Sequence, residues 1–224
     1  MPRIASSTAS ASIVSPGKLE TDFAVIAELR KLGDGHNAND PAFSQLKASL
    51  LRQYSVQTVE ELPINFRGAV ARASEAQLTE VLNRFAENSM QEELAQTQLA
   101  RSFGWLSPMV AIRSLSMISA GTSIETHHRF MREAEDLRFS FVQSLNQVHV
   151  NKLNYADDMN RNANAEAGQK ARVSAENWQM IQDFEFQLES ASARLQRSLP
   201  AFAQLFMWIA IAGALIRFFG RRAV

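Results

Sequence analysis

Leu199–Ile216 reads LPAFAQLFMWIAIAGALI, eighteen residues with no charge and a single amide, Gln204. Arg197 flanks the run on one side, and Arg217, Arg221 and Arg222 flank it on the other. An α-helix rises about 1.5 Å per residue, so the run spans roughly 27 Å. A bilayer hydrocarbon core is about 30 Å thick. Extension through Phe218 and Phe219, with Arg217 reaching out to the headgroups, completes the span. A buried core helix of a soluble protein would carry a more polar face. Residues 199–219 are therefore expected to form a transmembrane helix and residues 220–224 a basic tail.

The flanking charge predicts an orientation. Basic flanks stay in the cytoplasm. The C-terminus is thus expected inside and the bulk of the chain, residues 18–198, outside. Residues 1–17 are rich in Ser, Ala and Thr and end in Pro16-Gly17. They read as a flexible lead-in without the apolar core of a signal peptide. Two arrangements meet these facts: a tail anchor with its bulk in the cytoplasm, or the C-terminal part of a longer membrane protein.

Composition narrows the rest. The 23 Lys and Arg balance 23 Asp and Glu, which gives no electrostatic footprint for nucleic acid. There is no cysteine, which excludes disulfides, thiolate catalysis and zinc–thiolate sites. Gly and Pro are sparse, and Ala, Leu, Gln, Glu and Arg are plentiful, so the chain is expected to be all-α.

Caps and apolar spacing divide residues 18–198 into amphipathic helices. Phe23, Ile26 and Leu29 share one face of a first helix over residues 18–32, which Gly33-Asp34-Gly35 ends. Asp40 as N-cap and Pro41 at the first position open a second, with Phe43, Leu46, Leu50 and Tyr54 on one side. Residues 56–68 read as irregular, with a short turn at Glu60-Glu61 and breaks at Pro63 and Gly68. Ser74 and Gln77 form a capping box for a long helix ending near Gly104. Ser107-Pro108 opens the next, and Gly121 ends it as a left-handed residue. Thr122 and Glu125 form a second capping box. The helix it launches has the clearest stripe: Phe130, Ala134, Leu137, Phe141, Leu145 and Val148. Residues 151–174 read as a fraying end and loop, and the alternation in residues 184–188 as extended. Helix resumes near Glu189 and enters the apolar run, with a kink allowed at Pro200.

No catalytic constellation emerges. Glu125 and His128 have the spacing of one carboxylate–histidine unit of a di-iron site, but such a site needs a second unit, and neither His36 nor His149 follows a Glu by three. His127 and His128 read instead as a solvated or hydrogen-bonded pair in a first helical turn. There is no Gly-x-Ser-x-Gly elbow and no phosphate-binding loop. Asp157-Asp158 lacks the alternating ligands of a calcium loop. The expected catalytic, cofactor and metal sites are none. Trp105 and Trp178 read as packing residues near a membrane surface, and Trp208 lies inside the apolar run.

Residues 105–146 carry a family resemblance. Leu106-Ser107-Pro108, Arg113-Ser-Leu-Ser-Met117, Ala120-Gly121-Thr122, His127 or His128, Phe130, Ala134-Glu135, Arg138 and Asn146 fall at its intervals. Tyr54, Leu62-Pro63, Asn65 and Gly68 upstream, and Trp178, Phe184 and the Arg-ended apolar helix downstream, extend it. The pattern resembles bacterial ABC transporter permeases with a large extracytoplasmic helical insert of unknown function. The resemblance implies a non-catalytic membrane component of an export system in the inner membrane. Its implied partners are a separate ATP-binding-cassette subunit, other permease helices and the lipid bilayer. In that family several membrane helices precede the insert, so the chain resembles the C-terminal part of such a permease. The alternative is a single-pass helical scaffold. A genomic neighbour encoding an ATP-binding subunit separates the two.

Overall fold

A computed structural model describes residues 16–180 and 183–222. The first fifteen residues, which make up most of the expected lead-in, lie outside the described residues. Helices and short 3-10 turns build the chain, with no strand among the described residues. The α-helices are α1 (Pro16–Leu29), α2 (Ser44–Tyr54), α3 (Phe66–Ser102), α4 (Pro108–Ala120), α5 (Ile124–Lys152), α6 (Tyr155–Met159), α7 (Ala165–Lys170) and α8 (Ala191–Gly220). The expected all-α class, with one long apolar C-terminal helix, is what the chain adopts.

The chain divides into two compact units, Met1–Glu87 with Leu137–Gln182 and Asn88–Asp136 with Asp183–Val224. The first unit has a small apolar core of Phe43, Val59, Leu62, Phe66 and Val70. Leu46, Leu50 and Tyr155 pack against it. Asp40 caps as expected: its carboxylate accepts from the Ala42 N–H at 2.9 Å, with Pro41 at the first position. Thr58 and Glu61 form a capping box around the 3-10 turn Val59–Glu61.

Helix α3 begins nine residues earlier than the capping box at Ser74 suggests. Asn65 supplies the cap: its side-chain oxygen accepts from the N–H groups of Arg67 at 2.9 Å and Gly68 at 3.3 Å. Ser74 and Gln77 therefore sit inside a helix already under way. Gly68 does not break it. A Cβ there would lie 2.7 Å from the backbone nitrogen of Val150, so glycine lets the α3 and α5 backbones touch. The Asn65 N–H donates to the Val150 carbonyl at 2.8 Å at the same crossing.

In the second unit Ser107 and Pro108 open α4, and Gly121 closes it at φ 71°. The start of α5 shifts by one residue. Ser123, not Thr122, faces the first turn, where its hydroxyl meets that of Thr126 at 3.2 Å, while Thr122 donates back to the Met117 carbonyl. Glu125 closes no capping box, because its carboxylate is held by Arg101. The region expected to be loop, residues 151–174, contains α6 and α7. Residues 183–190 form no ladder, yet Phe184 and Phe186, two apart, both meet the Phe130 ring edge-on, at 5.5 and 5.3 Å. Trp105 is half exposed rather than packed, and the side chain of Trp178 lies outside the described residues.

The Gly68 contact is with backbone, which cannot swing aside. Gly68→Ala is expected to destabilise the first unit by about 1–3 kcal/mol, the usual cost of overpacking. Amide exchange over residues 59–70 and 147–158 reads the loss.

Candidate functional site

Helix α8 sets the geometry of the second unit. From Arg194 to Trp208 one of its faces is covered, with Ser198, Ala201 and Gln204 buried at helical spacing. From Ile209 to Gly220 every residue is exposed. Its apolar window is only 11 % buried, so α8 is not a core helix. It is the one helix among the described residues long and apolar enough to cross a membrane.

Two side chains of the apolar run meet the end of α3. The Gln204 amide donates to the Arg101 carbonyl at 3.1 Å, and the Trp208 indole donates to the Gly104 carbonyl at 3.1 Å. The last carbonyls of a helix have no partner within it. Gln204 and Trp208 supply those partners from across the contact. Gly104 lies directly beneath Gln204, and a Cβ at 104 would collide with the amide. Farther along, Arg194 donates to the Ser119 carbonyl at 2.8 Å. Residues 104–119 therefore run antiparallel to residues 194–208.

Beside this contact a cavity of about 1080 Å³ opens among α3, α4, α5 and Phe186. Leu99, Phe103, Val110, Met117 and Phe130 give it apolar walls, and Arg113 and His127 add a basic edge. Its volume lies just above the roughly 300–1,000 Å³ usual for a small-molecule pocket.

The candidate residues singled out from sequence are committed to structural partners. Arg101 and Glu125 form a two-pronged ion pair at 2.5 and 3.0 Å. Burial alone would raise the Glu125 pKa, but the Arg101 guanidinium and the Ser123 hydroxyl outweigh it and hold the carboxyl at about 2. His128 is buried and its Nε2 lies 2.8 Å from the Glu93 carboxylate. Glu125 and His128 thus point to different partners. Among the described residues no group of three or more His, Asp or Glu side chains could hold a metal ion.

The other polar centre lies in the first unit. Asp158 is fully buried, and His149 approaches its carboxylate at 2.8 Å and Asn65 at 3.2 Å. Arg161 grips the second oxygen, and Arg67 stands 3.8 Å away. Burial pushes the Asp158 pKa up, but the hydrogen bonds from His149 and Arg161 pull it well below the usual carboxylate range. His149, Asn65 and Arg161 between them occupy both of its oxygens. For both carboxylates the folded pKa lies below the unfolded value of about 4. Their stabilisation is therefore complete above that pH and is lost as the pH falls toward the folded value.

Gln204→Leu makes α8 more apolar while removing the partner of the Arg101 carbonyl. Membrane partition should hold or rise, whereas the docking of α8 on α3 should weaken by about 1–3 kcal/mol, the cost of an orphaned buried acceptor. Faster amide exchange over residues 99–107, with unchanged recovery in the membrane fraction, is the expected outcome.

A family described as a domain of unknown function, DUF3526, matches residues 20–187. The matched span begins inside α1 at Glu20, ends at Gln187 and stops short of α8. No curated protein and no solved structure matches the chain. A match over three quarters of its length makes this chain a member of the DUF3526 family.

Proposed function

We propose that this chain is a membrane component of an ABC-type export system, a permease subunit or the C-terminal portion of one. In this reading it is non-catalytic and depends on a separate ATP-binding subunit. The observation that carries the membrane part is α8, whose apolar residues from Ile209 onward have no cover from the chain. Such a surface is stable in hydrocarbon and costly in water. The export part is supported by the resemblance of Leu106–Asn146 to permeases with a helical insert. The basic end of α8, with Arg217, Arg221 and Arg222, favours a cytoplasmic C-terminus and an extracytoplasmic bulk.

A single-pass scaffold remains the second reading, because ionisable side chains in both units are engaged in structural pairs such as Arg101–Glu125 and Asp158–His149. The two readings differ in their partners. Affinity purification of the C-terminally tagged chain from its native membrane should recover an ATP-binding-cassette subunit in near-equal amount. Its absence, with other membrane proteins recovered instead, favours the scaffold. An alkaline phosphatase fusion at residue 150, in the native context, should be active; an inactive fusion overturns the extracytoplasmic assignment.

A further inference from the structure

Ser102–Ile112 reads SFGWLSPMVAI, eleven residues without a charge, bracketed by Arg101 and Arg113. The stretch forms the turn between α3 and α4 and the first part of α4. Its large side chains have little cover: Leu106 is 73 % exposed and Met109 69 %, and Phe103, Trp105 and Ile112 are about half exposed. A turn at the tip of two helices is ordinarily polar. This one is apolar on its outside.

The register of α8 gives the reason. The tip is tied to Gln204 and Trp208, which lie five and nine residues into the apolar run from Leu199. At about 1.5 Å per residue those positions are roughly 7 and 14 Å along the helix. The membrane span cannot start beyond them. Ile209 to Phe219 would cover only about 16 Å of a hydrocarbon core near 30 Å. The first half of the run must therefore lie in the bilayer, and whatever is docked beside it lies there too.

We propose that the α3–α4 turn, Phe103–Met109, is a re-entrant hairpin tip that inserts into the lipid bilayer beside α8. Its outer side chains face acyl chains. Irregular backbone survives at membrane depth only where protein satisfies its polar groups. Here the Leu106 and Ser107 N–H groups both donate to the Phe103 carbonyl at 2.9 Å, while Gln204 and Trp208 serve the Arg101 and Gly104 carbonyls. Pro108 at the first position of α4 has no N–H to satisfy. Arg101 and Arg113 stand at the two ends of the charge-free stretch, where long side chains reach back to the headgroups. The Arg101 guanidinium is paired with Glu125, and Arg113 is exposed. The same stretch supplies Phe103 and Val110 to the apolar cavity, so the cavity opens at the membrane surface.

The inference rests on the membrane reading of α8 and is independent of the export reading. The chain has no cysteine, so single nitroxide labels can be placed cleanly at Leu106→Cys, Met109→Cys, Ile209→Cys and Leu188→Cys, all exposed positions. The full chain is reconstituted into phosphatidylcholine vesicles, and collisions with oxygen and with a nickel chelate are measured. The labels at 106 and 109 should match that at 209, with strong oxygen collisions and loss of nickel collisions, while that at 188 stays open to nickel. Nickel access at 106 and 109, with 209 protected, overturns the insertion. Nickel access at 209 as well overturns the membrane reading of α8 beneath it. Shielding of 106 and 109 from both reagents would mean that protein, not lipid, covers the tip, and overturns the assigned occupant.

Discussion

The second unit depends on the satisfaction of two backbone carbonyls. The end of α3 and the 3-10 turn after it present those of Arg101 and Gly104 to an apolar helix, and that helix carries one amide and one indole at the matching positions. A carbonyl left without a partner in apolar surroundings costs on the order of 1–3 kcal/mol or more. Gln204 is thus no polar blemish in an apolar run. It fixes which face of α8 meets α3 and how far along α8 the contact falls. Gly104 is small because the Gln204 amide occupies the space above it. Arg194 on the Ser119 carbonyl sets the other end of the same antiparallel pair. Beyond Trp208 every described residue of α8 is exposed.

The first unit is held by another kind of centre. Its apolar core is small, five buried side chains, and beside it lies a fully buried carboxylate. Asp158 joins α6 to the end of α5 through His149 and to the start of α3 through Asn65. Asn65 has two duties there, since its oxygen caps α3 while its nitrogen binds Asp158. Gly68 brings the α3 backbone onto Val150 in the same place. Removal of one member of such a set leaves the others buried and unpaired, which commonly costs about 3–5 kcal/mol.

What could be read in the sequence were features with local causes. The apolar run, the Asp40-Pro41 and Ser107-Pro108 starts and the Gly121 stop each depend on neighbours within a few residues, and each stands where expected. The start of α3 was hidden because Asn65 lies between Pro63 and Gly68, two residues that ordinarily break helices. Only the distant Val150 backbone explains a glycine at 68. Asp158 read only as half of an acidic pair without the spacing of a calcium loop, because its partner Asn65 is 93 residues away in sequence. Gln204 was visible as an anomaly, yet nothing local named its partner. Several residues of the family-like pattern fall at these structural points: Asn65 and Gly68 at the α3–α5 crossing, Ser107-Pro108 and Gly121 at the ends of α4. Their roles here are caps, stops and close approaches.

The central claim is that the membrane span of α8 begins near Leu199, so that the docked end of α3 shares the bilayer with it. Single cysteines from Ser190 to Arg222, introduced into the otherwise cysteine-free chain and treated with a hydrophilic maleimide in vesicles, test this directly. A protected block from about Leu199 to Phe219, with labelling resuming on both sides, is expected. Labelling that continues through Gln204 and stops only at Ile209 would contradict it.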